Sequence, residues 1–216
     1  MAHIQLDHQP APVANIFCIG RNYAAHVAEL GNAPNEAPLV FLKPTSSLLH
    51  APAAIELPST SQDIHYETEL VLYIGRGGRN ITEAEALSHI AGYGIGLDLT
   101  ARDIQDELKK KGHPWTRCKG FPHAACVSAF IPANQVSDPS QLQFTLDVNG
   151  ARRQHGQTQM MLYSITRIIA ELSQTYGLSD GDLIYTGTPE GVGRLHPQDR
   201  LTLDLNGLVQ AEFTVA

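Results

Sequence analysis

Cysteine is scarce in this chain. Cys18, Cys118 and Cys126 are the only three in 216 residues, and no two form a C-x-x-C pair. Three thiols cannot all pair with one another, which argues against a disulfide framework and for a reducing compartment. A basic excess is missing too. The net charge is −7, so no cationic footprint invites nucleic acid or an anionic membrane surface. Residues 1–7 lack a basic region followed by an apolar core, and no apolar run approaches bilayer-spanning length. The glycine-rich stretch near residue 187 has no G-K-[ST] after it, which excludes a phosphate loop of that type. Internal repeats and low-complexity tracts are also absent. These absences lead us to expect a soluble cytoplasmic protein with neither a nucleic-acid nor a membrane partner.

Turn-forming residues are plentiful, with 18 glycines and 13 prolines, and 43% of the chain is hydrophobic. That supports a β-rich fold around one sizeable core, read as a single catalytic domain over residues 1–216. Strands are expected at 16–20, at 39–43 before Pro44, at 65–74, at 92–99 and at 181–186. Two Asn-Gly hairpins are expected, at Asn149-Gly150 and Asn206-Gly207. Residues 52–58 read as an extended edge segment. Helices are expected at 24–31 with Asn22 as cap, at 82–90 with Thr82 as cap, and at 104–111 after a capping-box-like Thr100–Asp103. A further helix is expected at 164–176, where Ile165, Ile168, Ile169 and Leu172 recur at helical spacing. Residues 32–38 and 115–121 read as loops, the first able to swing over a site with His26. Lys43 reads as a lysine on a strand rim.

The chemistry concentrates in His65-Tyr66-Glu67-Thr68-Glu69-Leu70. On a strand, alternate side chains share a face, so Glu67 and Glu69 point the same way. The strand ending at Leu97-Asp98 brings a third acid if it lies alongside. Three converging carboxylates suit a hard divalent cation: Mg²⁺, Mn²⁺ or Ca²⁺. Spacing alone favours two acids on the solvent face of an amphipathic strand. His26 and Glu29, three apart on a helix, can meet, and a carboxylate beside an imidazole suits a general base. Taken alone, they fit an ordinary surface pair better. Lys119 could neutralise an anionic substrate or a developing oxyanion, or simply be solvated.

Six segments taken in order resolve these alternatives. They are Gly20-Arg21-Asn22-Tyr23-Ala24-Ala25-His26, Phe41-Leu42-Lys43-Pro44, His65 to Leu70, Leu97-Asp98-Leu99-Thr100-Ala101-Arg102-Asp103, Lys119-Gly120-Phe121, and Thr186-Gly187-Thr188-Pro189 with Gly191-Val192-Gly193. Together they resemble the fumarylacetoacetate hydrolase superfamily, in its single-domain acylpyruvate hydrolase and oxaloacetate decarboxylase branch. The resemblance implies a mixed α/β, β-rich fold: the β-roll of the family's C-terminal domain with a few helices, as a homodimer. It implies Glu67, Glu69 and Asp98 as ligands of one divalent cation, Mg²⁺ or Mn²⁺ with Ca²⁺ as a further option. His26 and Glu29 become the general-base dyad, Lys119 the oxyanion or carboxylate partner, and Arg21, Gln105 and Thr188 the substrate-pocket residues. The implied partner is a small-molecule 2-keto acid. The implied reaction is hydrolysis of the carbon–carbon bond of an acylpyruvate, such as fumarylpyruvate or acetylpyruvate, through a pyruvate enolate, with oxaloacetate decarboxylation as a companion activity. The alternative is an isomerase or decarboxylase of 2-hydroxyhepta-2,4-diene-1,7-dioate-type substrates in aromatic catabolism. Pro122-His123 departs from the family pattern, which bears on substrate choice and not on the metal ligands.

Overall fold

Every residue of the strand Thr68–Ile74 is buried. Leu70, Leu72 and Ile74 pack into one apolar cluster, and Val71 and Tyr73 into another on the opposite face. A strand covered on both sides must be apolar at nearly every position, which is why its hydrophobic run is continuous. The computed structural model describes residues 2–31 and 37–216. In it, this strand lies at the centre of a mixed eight-stranded sheet. On one side come Leu183–Tyr185, Ile16–Gly20 and the edge strand Leu39–Lys43. On the other come Ile90–Asp98, Ala125–Val127 and Leu48–His50, with Ile131–Pro132 paired onto Ile90–Asp98.

A second sheet, in the order Ala151–Gln157, Gln143–Val148, Arg200–Leu205, Val209–Val215 and Ala53–Ile55, supplies the facing half of the larger core. Phe144, Leu146, Leu203, Leu205 and Phe213 from this sheet share that cluster with Leu70, Leu72, Ile95 and Leu97. Both Asn-Gly hairpins form as expected, with Asn149 and Asn206 in the left-handed region that such turns require. The helix Ile165–Thr175 covers the core with Ile165, Ile168, Ile169 and Leu172. Ser164 caps it by accepting from the Arg167 N–H at 3.2 Å.

Register decides where the acids fall. Ile90–Asp98 runs antiparallel to Thr68–Ile74 with Glu69 opposite Gly96 and Thr68 opposite Leu97. The pairing is carried one step further by the Asp98 N–H, which donates to the Glu67 carbonyl at 2.8 Å. Side chains alternate, so Glu67, Glu69 and Asp98 all project to one face, and a one-residue slip would move them apart. Gly92, Gly94 and Gly96 occupy alternate positions on that same face. A Cβ on Gly96 would lie 2.3 Å from the Cys126 carbonyl oxygen and 3.0 Å from the Tyr185 ring. A short three-stranded sheet centres on Ile64–Tyr66, between Thr100–Ala101 and Gly193–Arg194. It draws the glycine-rich segment after Tyr185 against the approach to Glu67.

Several local expectations are corrected. Residues 82–90 contain only a single 3-10 turn, Ala86–His89. Thr82 spends its hydroxyl on the Glu85 carboxylate, at 2.7 Å, instead of capping a helix. The helix Arg102–Lys111 starts without a side-chain cap. Thr100 belongs to a strand, and Asp103 turns back to accept from Ser61 Oγ at 2.6 Å. Residues 116–119 form a short helix, Thr116–Lys119, where a loop was expected. Of the loop expected at 32–38, residues 32–36 lie outside the described residues.

The packing around Gly96 gives a stability test. Gly96→Ala forces a methyl group into a backbone carbonyl and should cost about 2–3 kcal/mol in urea-induced unfolding. An unchanged unfolding midpoint would show that Gly96 does not pack against the Cys126 carbonyl and the Tyr185 ring as described.

Candidate functional site

The three acids meet as the register requires. One carboxylate oxygen from each of Glu67, Glu69 and Asp98 lies within 4.8 Å of the others, and all three residues are buried. Charge this deep must be matched. Lys119 Nζ bridges two of the acids, donating to Glu67 Oε2 at 2.7 Å and Asp98 Oδ2 at 2.6 Å. Arg102 donates from Nη2 to Glu67 Oε1 and from Nη1 to Gln105 Oε1, the latter at 2.6 Å. Lys43 Nζ lies 2.7 Å from Asp98 Oδ1 and donates to the carbonyls of Leu99 and Lys119. The Lys43–Asp98 contact is an ion pair whose angle is not that of a hydrogen bond. Lys43 is therefore no rim lysine. The edge strand ends by driving its ammonium under the acid cluster.

The consequences for ionisation differ among the acids. Burial raises the Glu67 pKa, but Lys119 and Arg102 outweigh it and hold the carboxyl well below its ordinary value. Lys119 is raised above an ordinary lysine: burial works against its charge, and Asp98 and Glu67 more than restore it. Glu69 goes the other way. Burial, then the neighbouring Asp98, push it well up, against the pull of a Gly187 N–H that donates to Oε2 at 2.7 Å. Glu69 has no cationic side chain bonded to it among the described residues. An all-oxygen set, one of whose carboxylates has no cation bonded to it among the described residues, fits a hard divalent cation. Glu67, Glu69 and Asp98 are the residues that would hold it.

The base faces the same space. The six-residue helix Ala24–Glu29 buries His26, and Glu29 Oε2 lies 3.3 Å from His26 Nδ1. Glu29 Oε1 accepts the Gly191 N–H at 3.0 Å, so one carboxylate joins the helix to the glycine-rich segment. A proton on Nδ1 facing Glu29 leaves Nε2 as the basic nitrogen. Asn22 does not cap this helix. It is buried, accepts the Tyr163 N–H at 2.7 Å and donates to the Thr186 carbonyl at 2.8 Å, fixing the helix approach to that segment. Arg21, just before, sits in the left-handed region at φ 61°.

A small cavity connects these groups. Its wall includes His26, the three acids and Lys119, together with Arg21, Gln105 and Thr188. The sequence-predicted site residues thus converge, with Glu29 standing behind His26. Three further residues escaped the site reading. Arg102 and Lys109 line the cavity, and Lys43 lies beneath the acids. Lys109 sits 5.9 Å above the Trp115 ring. For Arg102, the signal was its position three residues before Gln105 on a helix face. For Lys43, it was a charge at the end of an otherwise apolar strand.

This geometry has counterparts. The family model described as fumarylacetoacetate (FAA) hydrolase C-terminal matches residues 15–216. The mitochondrial oxaloacetate tautomerase FAHD1 of Homo sapiens is 43% identical over 201 residues, covering 93% of this chain and 91% of its own. The crystal structure of fumarylpyruvate hydrolase from Pseudomonas aeruginosa, in complex with Mn²⁺ and pyruvate, is similar with a TM-score of 0.94 and 36% identity. That match covers all of this chain and 97% of the other. A 5-carboxymethyl-2-hydroxymuconate delta-isomerase from Mycobacterium smegmatis is similar with a TM-score of 0.84 and 34% identity, covering 96% of this chain and 80% of the other. With a family model matched over almost its whole length and relatives this similar end to end, the chain belongs to the fumarylacetoacetate hydrolase family.

Proposed function

We propose that this chain is a divalent-metal-dependent enzyme of 2-keto acid enolate chemistry, interconverting the keto and enol forms of oxaloacetate. The observation that carries the reading is that His26, braced by Glu29, lines one small cavity with Glu67, Glu69, Asp98 and Lys119. When bound, the cation supplies Lewis acidity to the oxygens of the keto acid. Glu67, Glu69 and Asp98 would hold it, as Mg²⁺ or Mn²⁺. The FAHD1 relatives support oxaloacetate as substrate, and the complex of the Pseudomonas hydrolase supports Mn²⁺ and a pyruvate unit.

The formal charges of Lys43, Lys119 and Arg102 balance those of the three acids. A divalent cation held by the acids would leave this cluster two units positive, and Lys109 adds further positive charge to the wall. Such a site favours a dianion. In the tautomerisation, His26 Nε2 takes the proton from the carbon between the carbonyl and the distal carboxylate. The electron pair of that C–H bond becomes the new carbon–carbon double bond, the carbonyl π pair moves to the keto oxygen, and the resulting imidazolium is stabilised by Glu29. Returning the proton to the oxygen gives the enol, with no atom gained or lost. Lys119 and Arg102 supply fixed positive charge beside the acids as negative charge develops on the substrate.

Carbon–carbon hydrolysis of an acylpyruvate is the second reading, favoured by the likeness to fumarylpyruvate hydrolase. There His26 takes a proton from water and the hydroxide attacks the distal carbonyl. The bond to the pyruvate unit breaks with its electron pair, and the imidazolium returns the proton to that carbon.

A turnover panel of oxaloacetate, acetylpyruvate and fumarylpyruvate with Mg²⁺ or Mn²⁺ separates the two. Oxaloacetate tautomerisation should lead, and chelator should abolish it. Faster cleavage of an acylpyruvate would put the hydrolase first. Glu69→Ala should bind metal at least tenfold more weakly by calorimetry and lose metal-dependent turnover. Full activity of that variant in chelator would sink the metal-dependent scheme. His26→Ala should lower kcat by about 10²–10⁴-fold while KM moves little, and equal losses in binding and turnover would remove it as the base.

A further inference from the structure

Gln154 lies in the strand Ala151–Gln157, is 1% exposed, and belongs to no part of the chemistry above. Its side chain leaves the second sheet and ends between two parts of the site. Oε1 accepts the Thr68 N–H at 2.9 Å, midway between the ligands Glu67 and Glu69. Nε2 donates to the Pro189 carbonyl and to Thr188 Oγ1, both at 2.9 Å.

These partners fix which end of the amide is which. A backbone N–H can only donate and a proline carbonyl can only accept, so a flipped amide would face repulsion at both. The remaining amide N–H must then point at Thr188, whose hydroxyl has to accept. A hydroxyl has one hydrogen and two lone pairs. With a lone pair engaged by Gln154, the Thr188 hydrogen is directed elsewhere, and no described residue accepts it. Thr188 is 4% exposed and lines the cavity.

We propose that Gln154 is a positioning residue that sets the polarity of the Thr188 hydroxyl, making it a hydrogen-bond donor into the cavity for an oxygen of the keto acid. The proposal rests on the reading of the cavity as a 2-keto acid site. A carboxylate accepts only, so a hydroxyl held in the donating sense matches it, and one held in the accepting sense opposes it. The Thr68 N–H thereby orders the donor on the far side of the pocket as well as the strand carrying the acids.

The test reverses the hydroxyl. In Gln154→Glu the buried carboxyl, kept neutral by desolvation, accepts from the Thr68 N–H through one oxygen and donates its O–H to the Pro189 carbonyl through the other, whose lone pair faces Thr188. Thr188 then turns its hydrogen away from the cavity. Steady-state kinetics with oxaloacetate and Mg²⁺ should show KM raised about tenfold in Gln154→Glu and similarly in Thr188→Val, with kcat little changed. Gln154→Glu should add nothing to KM in the Thr188→Val background. An unchanged KM in either single variant, or additive effects in the double, would overturn the proposal and leave Gln154 a structural brace. Circular dichroism and thermal melting check folding. If Gln154→Glu does not fold, Gln154→Met replaces it. Its hydroxyl is freed but not reversed, so its rise in KM should be smaller than that of Thr188→Val and vanish in the Val background; persistence there overturns the proposal. Failure of the wider reading is visible separately, as a wild-type protein inactive on every keto acid of the panel.

Discussion

One hydrogen bond fixes the geometry on which the site depends: the Asp98 N–H to the Glu67 carbonyl, 2.8 Å long. It continues the ladder between the two central strands past Thr68 and Leu97, and it sets two carboxylates from distant parts of the sequence side by side. Strand alternation does the rest, bringing Glu69 onto the same face. Apolar burial holds the ladder in place. Leu70, Leu72, Ile95 and Leu97 point into the larger core, and the glycine row on the other face admits Phe130 and Tyr185 closely. The register is specified by the core, and the acid cluster inherits it.

Three buried acids on one face would be self-defeating without their cations. Removing such groups from water costs several kcal/mol per ion, and the return depends on near-ideal contacts. The cations come from three separate elements. Lys43 ends an edge strand, Lys119 ends a short helix and Arg102 opens a longer one. Lys43 also holds the carbonyl of Lys119, so the ammonium beneath Asp98 helps place the ammonium that bridges Asp98 and Glu67. The cluster is therefore a structural junction as well as a site. Glu69 is the member left to the cavity, bonded among the described residues by a backbone N–H and by no cationic side chain.

Much of this is legible in the sequence. Most of the strands, both Asn-Gly hairpins, the helix over residues 164–176 and the shared face of Glu67 and Glu69 follow from periodicity and turn chemistry, whereas the one strand expected at 65–74 breaks at Glu67 into Ile64–Tyr66 and Thr68–Ile74, which join different sheets. What periodicity could not show was partnership. Asn22 looks like a helix cap because caps are local, yet its bonds run to Tyr163 and Thr186. Thr100 and Asp103 look like a capping box for the same reason, and tertiary contacts claim both. Lys43 looks like a rim residue because lysines usually are. Its role depends on Asp98, 55 positions away. Gln154 carries no local signal at all, since its partners belong to other parts of the chain. Local rules found the elements, and long-range polar pairing, which they do not address, decided the details.

The glycine-rich segment after Tyr185 shows how binding and proton transfer can share one support. Gly187 gives its N–H to Glu69, Thr188 lines the cavity, and Gly191 gives its N–H to Glu29, the residue behind His26. Gly187 and Gly191 both have positive φ, and a Cβ on Gly191 would lie 2.1 Å from the Arg153 carbonyl oxygen, so the segment passes where only glycine fits. Its two ends address different tasks, orienting a metal-site carboxylate and steadying the dyad that moves a proton. Because Asn22 and Gln154 pin it from opposite sides, through Thr186 and Pro189, the segment cannot shift one task without the other. The distance between base and acids is thereby set by backbone N–H groups and buried amides, none of which changes charge during the reaction.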